Sequence, residues 1–501
     1  MLSRCWRSLF IVLGFWLVGL VALEPCTARA TVSAVFVSST ENASEPILSS
    51  RGFVAYGVGI PVVAGRIEVD GTARVQLGDP VTGVPGASWS SLTMQSFSDS
   101  GGGDLFFCGF LSGTSPDEDL ACAVHGSGAN SLLVLQRGVT EAPGTPSGVF
   151  FTGASSGRIN TVGQVAFRGG LIGTGVDCTP SSPGYNCEGI WAGDPSALQL
   201  VVRVGDPAIG VPDATYYSFG NVGRNSLAFN QHGQITFVAK IRGATVGSGN
   251  DTAIYRGSPS SIVLVAREGQ PAPGGGTYGD LHEPSISETG NGVVFLAGGA
   301  IYTHDHRVVA VGDAAPRGGL FEELFHPAIS ANVAFRARVG ASLLDTYVVS
   351  TSEGLVEAVR EGDVAPGTGG ETFTALYSNA VINLGDQIPF VAKISDGRKG
   401  IWVFHMDGSG ALVVLDGDPS PVGPDYSGIF GGIADGAARE NISDGGFRYF
   451  DRSGRVTFRS SLADGSDGLF VSDSPTGVSS SPVFTDDFES GDTLAWAVTA
   501  P

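Results

Sequence analysis

The feature that most constrains this chain is a recurrence, clearest between Val359 and Ala392. Its first landmark is an apolar run closed by Gly plus Asp or Gln, usually with a proline nearby. Copies stand at Gly78-Asp79-Pro80, Gly205-Asp206-Pro207, Gly269-Gln270-Pro271, Gly312-Asp313, Gly362-Asp363 and Gly417-Asp418-Pro419, with a degenerate one at Gly138-Val139. Its second landmark is a strand of the form Gly-x-Val-Ala-Phe, ending on Phe107, Phe167, Phe237, Phe295, Phe335, Phe390 and Phe458. Both landmarks count to seven, at spacings of 40 to 70 residues. A constant frame with variable connections is how a repeat fold tolerates insertion.

Each unit reads as four strands. In one of them Leu355 to Arg360 is apolar and ends in the Gly362-Asp363 turn. Thr372 to Ala380, Gln387 to Lys393 and Gly400 to Phe404 follow, and the next unit restarts at Leu412. A small sheet of this kind cannot bury both faces alone, and radial packing lets each sheet cover its neighbours without long exposed edges. The fold read from the sequence is therefore all-β, a β-propeller of seven four-stranded blades, with eight blades or an elongated β-solenoid as alternatives. Arg51 to Tyr56, which resembles the Phe-ended strand, is the argument for an eighth blade. The last unit lacks its restart strand, and Ala73 to Leu77 has no unit of its own, so these two are expected to pair and close the ring.

The chain divides into residues 1–30, an expected signal peptide; 31–72, an extension that is partly strand; 73–473, the propeller repeats; 474–485, a Ser/Pro-rich linker; and 486–501, a tail. Arg4 and Arg7, an apolar run from Leu9 to Leu23 and Ala28-Arg29-Ala30 have the basic, greasy and small-residue order of a cleavable signal. The run is shorter than a bilayer span needs, so cleavage near Ala30 and a secreted, cell-surface or periplasmic location are expected, with no integral membrane segment in the mature chain. Glu24-Pro25 before Cys26 argues against lipidation there.

Composition narrows the partners. Hydrophobic residues make up 42%, too many for a disordered chain, and no long segment has helical periodicity. Net charge is −21; residues 1–30 carry three Arg and one Glu, so the mature chain stands at −23. Such a field repels phosphate backbones, and nucleic acid is excluded as a partner. Four cysteines lie beyond the signal, in two close pairs, Cys108 with Cys122 and Cys178 with Cys187. Four cysteines allow three connectivities; local disulfides fit an exported protein better than zinc, whose ligand spacings they do not match.

No catalytic residue or cofactor-binding residue is assigned. The turn carboxylates Asp79, Asp206, Asp313, Asp363 and Asp418 read as structural, because Gly supplies positive φ and Asp bonds its own turn amides. Calcium is their alternative reading, although no copy has the dense acidic ladder of a calcium loop. His304 and His306, two apart in a turn, are weak metal candidates without a third ligand. His282-Glu283 and Phe325-His326-Pro327 occupy equivalent places in adjacent units and read as recurring packing elements. Trp89, Trp191, Trp402 and Tyr216-Tyr217 can stack on sugars or fill blade cores. Phosphate loops, dinucleotide fingerprints and His-Glu-x-x-His are lacking from the sequence.

From about residue 70 to 473, the Gly-Asp-x-Ala-Pro-Gly turns followed by Gly-x-Val-Ala-Phe-x-Ala strands resemble a group of bacterial exported repeat proteins without an assigned activity. That family supplies no catalytic residues to carry over, and this copy departs from its turn at Val139. The ending, Asp486-Asp-Phe-Glu-Ser-Gly-Asp492 with Trp496, resembles a segment at the extreme C-terminus of many exported bacterial proteins. The function these readings favour is a non-catalytic scaffold that binds a glycan or protein through loops on one face. The alternative is a glycan-active hydrolase or lyase with carboxylates gathered near the axis.

Overall fold

The computed structural model describes residues 30–474 except 39–41, 44–46, 49–53, 61–62, 99–102, 127–130, 221–226, 289, 291, 378–379, 432–449 and 452. All but the last residue of the expected signal peptide, 1–30, and the tail 486–501 therefore lie outside the described residues. Every described element is a strand, and the strands form eight sheets of four or five. Blade 1 spans 42–76, blade 2 88–136, blade 3 149–203, blade 4 214–267, blade 5 281–310, blade 6 321–360, blade 7 373–415, and blade 8 426–472 together with Val32–Ser38. Within a blade the strands follow one another antiparallel. First strands of blades 1 to 6 touch one another in succession, which places them around the axis.

Seven blades becomes eight, and the count of seven turns explains why. A chain that makes eight blades has seven covalent blade-to-blade connections, and each of the Gly-Asp landmarks is one of them. The remaining join is a strand pairing: Val32–Ser38 lies antiparallel on Asp467–Ser472, with Val32 opposite Ser472 and Ser38 opposite Asp467. The expected closing strand near Ala73 does something else. Thr72–Gln76 pairs with Val63–Val69 as the fourth strand of blade 1. That blade escapes the Phe-ended pattern because Tyr56 takes the aromatic place, fully buried, its hydroxyl donating to Glu68 Oε2 at 2.6 Å. Of the segment that hinted at this blade, residues 51–53 lie outside the described residues.

Three devices recur around the ring. The first is the connecting turn. The Gly362 amide donates to the Phe373 carbonyl at 2.9 Å, and the Phe373 amide returns a bond to Asp363 O at 2.9 Å. The same exchange joins Gly78 with Trp89, Gly205 with Tyr216, Gly269 with Tyr278, Gly312 with Phe321 and Gly417 with Tyr426, while in the degenerate copy Gly138 donates to Phe151 O and the Phe151 amide returns its bond to Thr140 O. Gly362 sits at φ 92°, where a side chain is strained.

The second device is an aromatic set in the cores of blades 2 to 8. In blade 7 Trp402 meets Phe373 edge-on at 5.0 Å and stacks on Phe390 at 6.5 Å, and blades 4, 5 and 8 repeat this with Tyr216–Phe237–Tyr255, Tyr278–Phe295–Tyr302 and Tyr426–Phe458–Phe470. Such pairs add about 0.5–1.5 kcal/mol beyond burial. The Gly of Gly-Ile-Trp follows from it: a Cβ on Gly400 would meet both Trp402 Cη2 and Val414 O at 2.7 Å.

The third is a polar belt that the sequence reading did not anticipate. In the turn between the first and second strands of blade 7, Asn383 Oδ1 accepts the amides of Gly385 and Gln387, each at 3.0 Å. Its Nδ2 donates to Gln387 Oε1 at 2.8 Å and onward to Asp451 O of blade 8 at 3.1 Å. Asn160 repeats the pattern and donates to Asn230 O of blade 4, and Asn230 donates to Ser287 O of blade 5. Buried amides satisfied in this way link blades directionally, which apolar contact between them does not. The apolar clusters themselves lie between blades, as where Tyr347 and Val349 of blade 6 pack with Phe390 and Trp402 of blade 7.

Candidate functional site

The first strand of several blades bulges at one position, five residues past its anchoring aromatic. Beyond Phe151 the bulge holds Ser156, beyond Tyr278 it holds Glu283, and beyond Phe321 it holds His326. All three are in the left-handed region, at φ 53°, 55° and 35°. Such a conformation costs about 1–3 kcal/mol per residue and persists where the surroundings impose it. These bulges set one residue on the first strand of each of blades 3, 5 and 6.

In blades 5 and 6 the bulges meet. His326 Nδ1 lies 2.8 Å from Glu283 Oε2, and His282 Nδ1 lies 3.8 Å from Glu283 Oε1. The Glu283 side chain is only 13% exposed while His326 keeps 33%, so the carboxylate is held behind the imidazole. Phe325, next to His326, carries the guanidinium of Arg336 over its ring at 4.8 Å and that of Arg338 at 5.5 Å. Those cations are balanced. Arg338 bonds Glu323 at 2.9 Å, and both arginines approach Asp345 Oδ1, at 3.4 and 3.3 Å. Burial raises the Asp345 pKa above the usual carboxylate value, against the pull of the arginines. The strip thus offers an imidazole, carboxylates and guanidiniums side by side, a set able to bond hydroxyl groups as donor and acceptor and to pass a proton through His326. Sequence reading took the two bulges for packing elements; the visible signal was a polar residue five past each aromatic.

The other singled-out residues are placed as follows. The turn carboxylates are spent on their own turns: Asp79, Asp206, Asp313, Asp363 and Asp418 each accept the amide three residues back, from Gln76, Arg203, Ala310, Arg360 and Leu415, at 2.8 to 3.0 Å. His306 Nδ1 bonds within its hairpin, 2.8 Å from both Asp305 Oδ1 and Thr303 Oγ1, and His304 lies in the same exposed turn. Among the described residues no three His, Cys, Asp or Glu side chains converge as a metal ion requires. Trp89, Trp191, Trp402 and Tyr216 are all buried in blade cores. Tyr217 is half-buried under the Arg242 guanidinium at 5.2 Å.

Cys108 and Cys122 form a disulfide between directly opposed residues of neighbouring strands. Cys178 and Cys187, which the sequence reading pairs, stand here as two thiols. They are in hydrogen-bond contact, and burial, then Cys178, push the Cys187 thiol up to about 12. No described helix is long and apolar enough to cross a membrane.

Sheet number, ring closure and the axial strip define an eight-bladed β-propeller. Within that class, the chain belongs to the family described as "Family of unknown function (DUF7453)", which matches residues 68–308 and 303–476. The match starts in the third strand of blade 1. No curated protein matches the sequence. Solved structures similar to the chain include an oligogalacturonate lyase in complex with manganese, 12% identical over 90% of this chain and 99% of that one, TM-score 0.41. The oligogalacturonate lyase of Vibrio parahaemolyticus is 10% identical over 90% and 99%, TM-score 0.39. An α-L-arabinanase of Penicillium chrysogenum complexed with arabinobiose is 12% identical over 79% and 95%, TM-score 0.27. At these values the architecture rests on the strand pairing itself.

Proposed function

We propose that this protein is an exported recognition scaffold that binds a glycan or a protein at the axial strip of blades 5 and 6, without turning it over. One observation carries the reading. Around the ring the frame repeats, while the bulge position five past the aromatic changes identity, from Ser156 to Glu283 to His326. A constant frame presenting variable residues at one geometry suits recognition. The left-handed strain at Glu283 and His326 supports a role for the site beyond packing. Export rests on residues 1–30 of the sequence, with cleavage near Ala30.

A glycan array probed with the protein and with the Glu283→Gln and His326→Ala variants tests this. Binding that both variants lose supports the reading; equal binding by all three overturns it. The second reading, a glycan-active enzyme, is favoured by the Glu283–His326 pair, which sets an imidazole nitrogen 2.8 Å from a carboxylate oxygen, residue types that serve in general acid–base catalysis. A panel of hydrolase and lyase substrates separates the two, since turnover abolished by His326→Ala replaces the binding-only reading.

A further inference from the structure

In blade 3 the second and third strands are joined by residues 174–187, the longest connection of its kind in the ring. Asn186 ties the two arms of this loop together. The Asp177 amide donates to Asn186 Oδ1 at 2.8 Å, the Asn186 amide donates to Asp177 O at 3.0 Å, and Asn186 Nδ2 donates to Gly175 O at 3.1 Å. Cys178 and Cys187 each follow one member of that pair, so the lacing brings their thiols into contact. Cys178 is exposed, with Sγ 3.7 Å from the Leu171 carbonyl, and Cys187 is half-buried against the Tyr185 hydroxyl.

The loop is anchored from outside as well. Arg242 of blade 4 donates to the Ser182 and Pro183 carbonyls, both at 2.8 Å, and Arg203 Nε donates to the Asn186 carbonyl at 2.8 Å. Tyr185 meets Tyr217 of blade 4 edge-on at 5.9 Å. Two thiols side by side on a loop held in this way form a preorganised pair of soft ligands, reachable from solvent through Cys178. The charge also fits. The Arg203 guanidinium interacts electrostatically with Cys187, so an anionic sulfur complex has a cation beside it.

We propose that Cys178 and Cys187 bind one cuprous ion between their sulfurs. Zinc wants four ligands, and among the described residues no group of three His, Cys, Asp or Glu forms to hold it. A soft monovalent ion is satisfied by a pair of thiolates and does not need the rest of that set. On binding, each thiol releases its proton to solvent and the copper stays monovalent, so no electron is transferred. The site lies on a loop of blade 3, apart from the strip of blades 5 and 6, and does not depend on it.

Titrating the full chain against the cuprous bicinchoninate complex, without oxygen and without thiol reductant, tests the assignment. The protein should take one equivalent of copper from the dye, and Cys178→Ser and Cys187→Ser should each weaken uptake about tenfold or more, equivalent to about 1.4 kcal/mol. Cys108 and Cys122 stay joined under these conditions and do not compete. X-ray absorption of the copper-loaded parent should show sulfur neighbours only, a readout that stands should a serine variant fail to fold. No uptake, full uptake by either serine variant, or a nitrogen-rich shell overturns the proposal. Loss of uptake in the His304→Ala/His306→Ala double variant, with the serine variants unaffected, would move the ion to the exposed hairpin and overturn it too. Isolation of the chain with the two sulfurs bonded to each other has the same consequence.

Discussion

Asn383→Ala removes a fully buried side chain that makes four hydrogen bonds. The truncation leaves the amides of Gly385 and Gln387, the Gln387 Oε1 and the Asp451 carbonyl without their partner. At about 1 kcal/mol net per bond, and more where the orphaned group stays dry, the loss is about 4 kcal/mol. That is a large share of the 5–15 kcal/mol by which a domain is ordinarily stable. Blade 8 supplies the control. There Asp451 occupies the same turn, accepting the amides of Ser453 and Arg455 at 2.8 Å, with Arg455 Nε reaching its other oxygen at 2.6 Å. Asn383→Asp alone should therefore keep the amide bonds and lose the donations, at about half the cost, and adding Gln387→Arg should recover part of it. Urea unfolding followed by near-ultraviolet circular dichroism reads the series. An Asn383→Ala protein within about 1 kcal/mol of the parent would refute the claim that the belt holds the blades together.

Deleting residues 30–38 removes the strand that covers Asp467–Ser472, so the shortened chain should melt lower and associate through the bared edge, read by calorimetry and size exclusion; an equally stable monomer would contradict the closure. Arg317 bonds both oxygens of Asp363 at 2.6 and 2.5 Å, and although burial opposes it, this pairing holds the Asp363 carboxyl below its usual 3.8. A depressed carboxylate contributes stability that is full above its unfolded value and lost as pH falls through the folded one. The melting difference between parent and Arg317→Gln should therefore be present at neutral pH and fade below about pH 4; given the exposure of Arg317, it should be worth under about 1 kcal/mol. Reducing the Cys108–Cys122 bond, which closes 14 residues, should destabilise by about 3 kcal/mol, read as a shifted urea midpoint. Cys178 is an exposed thiol whereas Cys122 is buried in a disulfide, so alkylation should label Cys178 before any reduction, and Cys108 and Cys122 only after it; no labelling of Cys178 in the unreduced protein would contradict the free thiols.

The unit of the fold was legible because its turn chemistry is local. Gly362 needs its left-handed backbone and Asp363 bonds an amide three residues away, so both leave marks within a few letters. Blade 1 was not legible because Tyr56, tied to Glu68, does the work of a phenylalanine, and because a missing covalent join has no letters at all. The belt had a readable signal, Asn-x-x-Gly-Gln at residues 160–164 and 230–234, but its partners lie in the next blade and no local rule connects them. Tryptophans that suggested sugar platforms went to the blade interiors, Trp191 and Trp402 each donating an indole N–H to a turn proline carbonyl, Pro143 and Pro366. His326 and Glu283 could be seen to be equivalent in sequence; that they bond each other depends on the angle between two blades, which only assembly sets.

The seam at Val32–Ser38 also sets an order of events. This strand is the first described one to be synthesised and its partner, Asp467–Ser472, the last, so a nascent chain carries an unmatched edge at each end until synthesis is almost finished. Contacts of such long range are slow to form, and fragments truncated anywhere short of blade 8 should be poor survivors of quality control rather than smaller working versions of the ring.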